Sequence, residues 1–225
     1  MNKATESASI ALIAILRGVT SAEAAAVGQC LYDEGFRWLE VPLNSPDPLR
    51  AITILRAALP ADCLVGAGTV ITVDQVRQCH KAGAQIIVSP NTNTAVIAET
   101  VRLGMEGFPG AATPSEAFAA IGAGARSVKV FPAEQVGFTG LKAWTAVIPK
   151  GIGLVPVGGV DATNIGAWLH AGATGFGIGS ALFKPGITIN ELRQRAVCIT
   201  TALEQGLATN WKRAWESPST HSRTP

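Results

Sequence analysis

The sequence predicts an α/β fold, a single (β/α)8 TIM barrel, and three observations carry that prediction. Short apolar runs rich in β-branched residues alternate eight times with longer segments of helical periodicity. Each strand-plus-helix unit takes roughly 25 residues, the span of a βα repeat with a right-handed crossover. The chain of 225 residues is 48% hydrophobic and only 15% charged, which supplies a core large enough for one barrel. Two small domains would fit the same length, but no interior linker divides the chain. The barrel is placed over residues 1–208. A C-terminal extension, expected to be partly disordered, is placed over residues 209–225, where Pro218 to Pro225 is polar.

Each element follows from local signals. Residues 1–8 are a polar lead-in, and Ile10–Leu16 is the first strand, ending at Arg17-Gly18. Thr20 or Ser21 caps a helix that carries Glu23 in its first turn and stops at Gly35. Trp38–Leu43 is the second strand; Asp47–Leu59 is a helix halted by Pro60. Leu64–Val70 is the third strand, and the helix opening near Thr72 closes at Gly83. Ile86–Pro90 is the fourth strand, followed by a helix from about Thr94 to Leu103. Gly107–Ala112 is assigned as the fifth strand more by rhythm than by propensity. Thr113-Pro114-Ser115-Glu116 opens the next helix, with proline in the first turn. Ser127–Pro132 is the sixth strand, with a helix at Leu141–Ile148 after a Gly-rich loop. Leu154–Gly159 is the seventh strand, and Asp161 is read as the cap of the helix after it. Gly175–Ser180 is the eighth strand and Asn190–Leu207 the last helix. Trp211 and Trp215, four apart, would share one helix face.

Composition narrows the partners. The net charge is +2, with the charges dispersed, so no nucleic-acid or anionic-membrane footprint is visible. No run reaches transmembrane length, and the apolar stretch at Ile10–Leu16 ends in Arg17 without a small-residue cleavage site. Cys30, Cys63, Cys79 and Cys198 form no C-x-x-C pair and sit at no zinc spacing with His, and His80 and His221 have no metal partner, so no metal site is expected. The thiols read as reduced, which places the protein in the cytoplasm.

A few polar residues interrupt this apolar pattern. Lys129 lies within Ser127-Val128-Lys129-Val130-Phe131-Pro132, and strand alternation puts it on one face with Phe131, opposite Val128 and Val130. If the other face packs on helices, Lys129 points into the fold. A desolvated lysine loses its proton more readily and becomes a nucleophile able to form a Schiff base with a ketone. The plainer alternative is an edge strand with Lys129 in water. Glu40 lies opposite Leu39, Val41 and Leu43. Barrels build their sites at the C-terminal ends of strands, where Arg17 and Thr69 also fall. Arg17 is either an anion clamp or an exposed loop residue; Thr69 alone is an ordinary strand end. Gly158-Gly159 and Gly179-Ser180 end the last two strands, where backbone N–H groups often hold a phosphate, although such glycines also serve tight packing. Asn164 and His170 are assigned to a helix surface.

Six stretches carry a resemblance. Ile15-Leu16-Arg17-Gly18, Leu39–Pro46, Val65–Val70, Val88-Ser89-Pro90-Asn91, Val128–Pro132 and Val157-Gly158-Gly159-Val160, in that order, resemble the 2-keto-3-deoxy-6-phosphogluconate and 6-phosphogalactonate aldolases over about residues 9 to 206. Pro42-Leu43-Asn44-Ser45-Pro46 and Val157 look most like the phosphogalactonate branch; the gluconate branch usually has threonine at the position of Val157. The resemblance implies a metal-free class I aldolase that needs no cofactor and is usually a homotrimer. It makes Lys129 similar to the Schiff-base lysine and Glu40 to the acid/base carboxylate. Arg17, Thr69, Gly158, Gly159, Gly179 and Ser180 resemble substrate ligands, with Pro90 and Phe131 lining the pocket. The implied partners are a phosphorylated 2-keto-3-deoxy sugar acid and its products pyruvate and glyceraldehyde 3-phosphate. Two rivals differ in class: an epimerase or isomerase on phosphosugars, in which Lys129 only pairs with a carboxylate, and a non-catalytic phosphosugar-binding protein.

Overall fold

Strands and helices alternate along residues 10–216, the part of the chain that the computed structural model describes, with side chains described to residue 209. The first half holds β1 (Ala11–Ile15), α1 (Ala24–Asp33), β2 (Trp38–Pro42), α2 (Pro48–Ala58), β3 (Leu64–Gly68), α3 (Val73–Lys81), β4 (Ile86–Val88) and α4 (Thr94–Arg102). The second half holds β5 (Glu106–Phe108), β6 (Gly110–Ala111), α5 (Pro114–Gly122), β7 (Ser127–Val130), α6 (Ala133–Thr145), β8 (Gly153–Pro156), α7 (Ile165–Ala171), β9 (Gly175–Ile178) and α8 (Ile189–Glu216).

Every strand pairing is parallel, as crossover helices require. The pairing orders are β5-β4-β3-β2-β1-β9 and β6-β7-β8. Two seams join them into the expected barrel. A Val157–Gly177 bridge closes one side. On the other, β5 and β6 are a single barrel strand broken at Pro109, which has no N–H for the ladder but accepts from the Lys129 N–H at 2.8 Å.

Alternation then sorts the side chains into two layers. Leu12, Ala14, Leu39, Val41, Val65, Val128, Val130, Phe176 and Ile178 face outward into the core beneath the helices. Ile13, Ile15, Ile86, Val88, Phe108, Val155 and Val157 fill the barrel interior. Trp38 and Phe108 meet there edge to face, with ring centroids 5.6 Å apart, a favourable aromatic geometry. Glu40 follows Trp38 on the interior face of β2, and Lys129 takes the same face of β7. The edge-strand alternative for Lys129 is thereby removed, since β7 is paired on both sides.

Several boundaries differ from the sequence reading. Helix α6 begins at Ala133 rather than Leu141, because its first turn is anchored directly on the barrel by Ala133 N–H to Val157 C=O at 2.9 Å. The glycines that read as a loop mark a kink instead, at Gly137, whose φ of 67° suits glycine. Asp161 does not cap α7: its Oδ1 accepts from the N–H and hydroxyl of Thr163, closing a turn, and the helix starts at Ile165. Helix α1 starts at Ala24, with Glu23 reaching back to the Thr20 N–H at 2.8 Å. Helix α8 runs past Leu207 to Glu216. The lead-in, the side chains of Trp211 and Trp215, and Pro218 to Pro225 with His221 lie outside the described residues.

Candidate active site

The centre of the barrel holds two oppositely charged residues that its apolar layers would otherwise exclude. Glu40 is 2% exposed and Lys129 is 7% exposed. Taking either charge out of water costs several kcal/mol, on the order of the penalty for any buried ion. That cost shows in their proton affinities. Burial pushes the Glu40 carboxyl up to about 7, with Lys129 and then Arg17 pulling it back down. Burial likewise lowers the Lys129 ammonium, Glu40 raising it and Arg17 lowering it further. The two do not close into an ion pair, and Glu40 Oε2 is buried with no hydrogen-bond partner among the described residues. An unpaired buried acceptor is costly unless something else bonds to it.

Neighbouring residues shape this arrangement. The Lys129 Nζ lies 4.3 Å from the centroid of the Phe131 ring, two residues along the same face. Gly68, at the end of β3, leaves the space that Glu40 occupies: any Cβ there would lie 1.9 Å from Oε2. Gly110 pairs in register with Lys129 and has no room for a side chain either, since a Cβ would lie 2.4 Å from the Pro90 carbonyl oxygen. Gly110 thus serves close strand packing, whereas Gly68 makes room for a charged side chain inside the barrel.

A cavity of about 390 Å³ opens at the C-terminal ends of the strands; Phe131, whose ring meets Lys129, lines it, while Lys129 and Glu40 themselves do not. It brings together seven of the residues singled out in the sequence: Arg17, Phe131, Val157, Gly158, Gly159, Gly179 and Ser180. Gly158 and Gly159 have φ of 104° and 63°, which only glycine adopts easily, and Gly179 faces open space. The Arg17 guanidinium is steered by a 2.6 Å hydrogen bond to Asn44 Oδ1, and the Gly18 N–H donates to Ser45 Oγ at 2.9 Å. Thr69 and Pro90 do not line this cavity. Thr69 follows Gly68 with a left-handed φ of 59°, and Pro90 packs its carbonyl against Gly110, the register partner of Lys129 on the intervening strand.

Three residues of the site carried no functional assignment in the sequence. Asn44 stands in a quoted motif, but its bond to Arg17 spans two loops. Asn164, assigned to a helix surface, instead staples the glycine loop: its Nδ2 donates to the Gly159 carbonyl at 2.7 Å and its Oδ1 accepts from the Asp161 N–H at 3.1 Å. Lys184 lines the cavity from the turn after β9; a cation four residues past Gly-Ser was the only signal for it. Among the described residues, no group of three or more His, Cys, Asp or Glu is placed to hold a metal ion. No described helix is long and apolar enough to cross a membrane.

Comparison with known proteins gives one family. The family model for KDPG and KHG aldolase matches residues 3–198. A probable 2-dehydro-3-deoxy-6-phosphogalactonate aldolase of Rhizobium meliloti (strain 1021) is 44% identical over 193 residues, covering 86% of this chain and 91% of its own. The 2-dehydro-3-deoxy-6-phosphogalactonate aldolase of Escherichia coli (strain K12) is 40% identical over 196 residues, covering 87% of this chain and 96% of its own. A solved structure described as native KDPGal superposes with a TM-score of 0.86 at 40% identity, covering 88% of this chain and 96% of that one.

Proposed function

The chain belongs to the KDPG and KHG aldolase family, and from that premise we propose that it is a class I aldolase that cleaves 2-dehydro-3-deoxy-6-phosphogalactonate to pyruvate and glyceraldehyde 3-phosphate. The observation that carries this reading is a buried lysine and a buried, unpartnered carboxylate that act on each other's charge inside one barrel, whose strand ends rim a glycine-lined cavity. Lys129, its proton loosened by burial, attacks the C2 ketone to give a carbinolamine, which loses water to an iminium. The iminium accepts the electron pair released when the C3–C4 bond breaks. Glu40, poised to give or take a proton near neutral pH, removes the C4 hydroxyl proton through a water and later protonates the enamine carbon. Hydrolysis of the pyruvate iminium frees Lys129.

Arg17 is assigned to the substrate carboxylate, with a guanidinium fork suited to that group. The N–H groups at Gly158, Gly159, Gly179 and Ser180 are assigned to the phosphate. Thr69, Pro90, Phe131 and Val157 are assigned to the walls around the reacting carbons. The barrel domain is taken as residues 1–208, the location as the cytoplasm and the assembly as a homotrimer, which native mass spectrometry tests.

Borohydride reduction in the presence of pyruvate tests the chemistry. A stable adduct on Lys129 is expected, together with pyruvate release from the phosphogalactonate substrate. An adduct on Lys142 or Lys150 instead, or substrate turnover without any trapped adduct, would overturn the assignment. Turnover without an adduct is also what an isomerase would give, and a binding protein would give neither.

A further inference from the structure

We propose that Lys184 is a phosphate-binding residue of this cavity, supplying the cationic charge that the glycine-loop N–H groups lack. The proposal rests on the aldolase reading above. Strand β9 ends in a tight turn in which the Leu182 and Phe183 N–H groups donate to the Gly179 carbonyl at 2.9 and 3.0 Å. Leu182 and Phe183 are both buried, so the turn is anchored from below. Lys184 follows at once, exposed, and lines the same cavity as Gly158, Gly159 and Ser180.

Electrostatics then argues for an anion between the loops. Pro185 packs against Gly18, where a Cβ would lie 2.7 Å from the proline Cγ, so the Lys184 and Arg17 loops touch. Both cations line one cavity. Among the described residues neither has a carboxylate partner: Arg17 bonds the neutral Asn44, and Lys184 makes no ion pair. The acids nearby do not pair with them. Asp161 lines the same cavity and stays ionised, but its Oδ1 is held by the N–H and hydroxyl of Thr163 and it forms no ion pair with Arg17 or Lys184. Glu134 lies against Gly158 and Gly159 on the side where a Cβ would point. Two cations without a paired carboxylate on one cavity are suited to a ligand with two anionic groups. A sugar acid with a carboxylate at one end and a phosphate at the other is such a ligand. Glu134 near the loop makes a compensating cation more valuable to a phosphate there, because backbone N–H groups bring dipoles but no net charge.

The test compares Lys184→Gln and Lys184→Arg with the unaltered protein on the phosphorylated sugar acid and its unphosphorylated counterpart. In Lys184→Gln the ratio of the two kcat/KM values is expected to fall about five- to tenfold, the scale of one partly exposed charge-assisted contact. Lys184→Arg should keep most of the ratio, and the difference should shrink at high salt. Lys150→Gln, which removes an exposed lysine just before β8 at the far end of the barrel, should keep the ratio. Titration of inorganic phosphate followed by phosphorus NMR gives an arm independent of turnover, with a weaker Kd expected in Lys184→Gln. An unchanged ratio, an equal loss on both substrates, or an unchanged phosphate Kd would overturn the assignment. Absence of cleavage by the unaltered protein would instead refute the aldolase reading and leave the phosphate titration to decide Lys184.

Discussion

Removing Lys129 should expose how strongly burial governs Glu40. The informative comparison is Lys129→Met against the double variant Lys129→Met/Glu40→Gln, both catalytically silent, so that only stability is read. With Lys129 present, burial holds the Glu40 carboxyl at about 7, and Lys129 is the largest influence drawing it down. Replacing Lys129 with an apolar chain of similar length therefore raises the Glu40 pKa further. A carboxyl whose folded pKa exceeds its unfolded value, about 4.3, contributes stability fully present below the unfolded pKa. That contribution is lost as pH rises through the folded pKa. Between pH 5 and pH 8 a group near 7 or above loses about 3 kcal/mol, at 1.36 kcal/mol per pKa unit. Lys129→Met should thus lose about 3 kcal/mol relative to the double variant over that range, or roughly 6–12 °C in Tm for a chain of this size. Urea unfolding at a series of pH values measures it. Lys129 itself titrates in the opposite sense, and its absence from both proteins keeps the comparison clean. Parallel stability curves would refute the argument, because they would mean that Glu40 ionises in the folded barrel as freely as in water.

Two further predictions follow from the packing. Gly68→Ala places a Cβ within 1.9 Å of Glu40 Oε2 and 2.5 Å of Oε1, so the carboxylate must move; kcat should fall about 10²-fold or more, the usual scale for a displaced acid–base group. Circular dichroism should report an intact fold, and a kcat near that of the unaltered protein would show that the position of Glu40 is not critical. Val157→Thr adds a hydroxyl at the cavity wall, where Val157 is 7% exposed. A hydrogen bond to the C4 hydroxyl should shift relative kcat/KM about three- to tenfold toward the gluconate epimer, while the unaltered protein prefers the galactonate epimer. Steady-state kinetics on both epimers decides it: a reversed starting preference would refute the substrate assignment, and an unchanged ratio would show that Val157 does not set it.

What the sequence by itself determined is the repeat and the facing of each strand. The alternation of Leu39, Val41 against Trp38, Glu40, and of Val128, Val130 against Lys129, Phe131, is a property of neighbouring Cβ directions and needs no partner strand. Helix starts with a complete reciprocal cap were equally legible: Thr72 with Gln75 and Thr113 with Glu116 lie where their spacing puts them. Two starts without one were not. Helix α6 opens on the Val157 carbonyl, and α7 follows a turn built by Asp161. Only closure of the barrel decided which charged residues meet. Glu40 and Lys129 share an interior because strands from the two halves of the chain curl around it, and the space for Glu40 comes from Gly68 on a third strand. The bonds from Arg17 to Asn44 and from Asn164 to Gly159, and the approach of Lys184 to the glycine loops, depend on loops carried by different strands. Burial and distance are properties of the closed surface, and they push the Glu40 carboxyl up to about 7 and loosen the proton on Lys129.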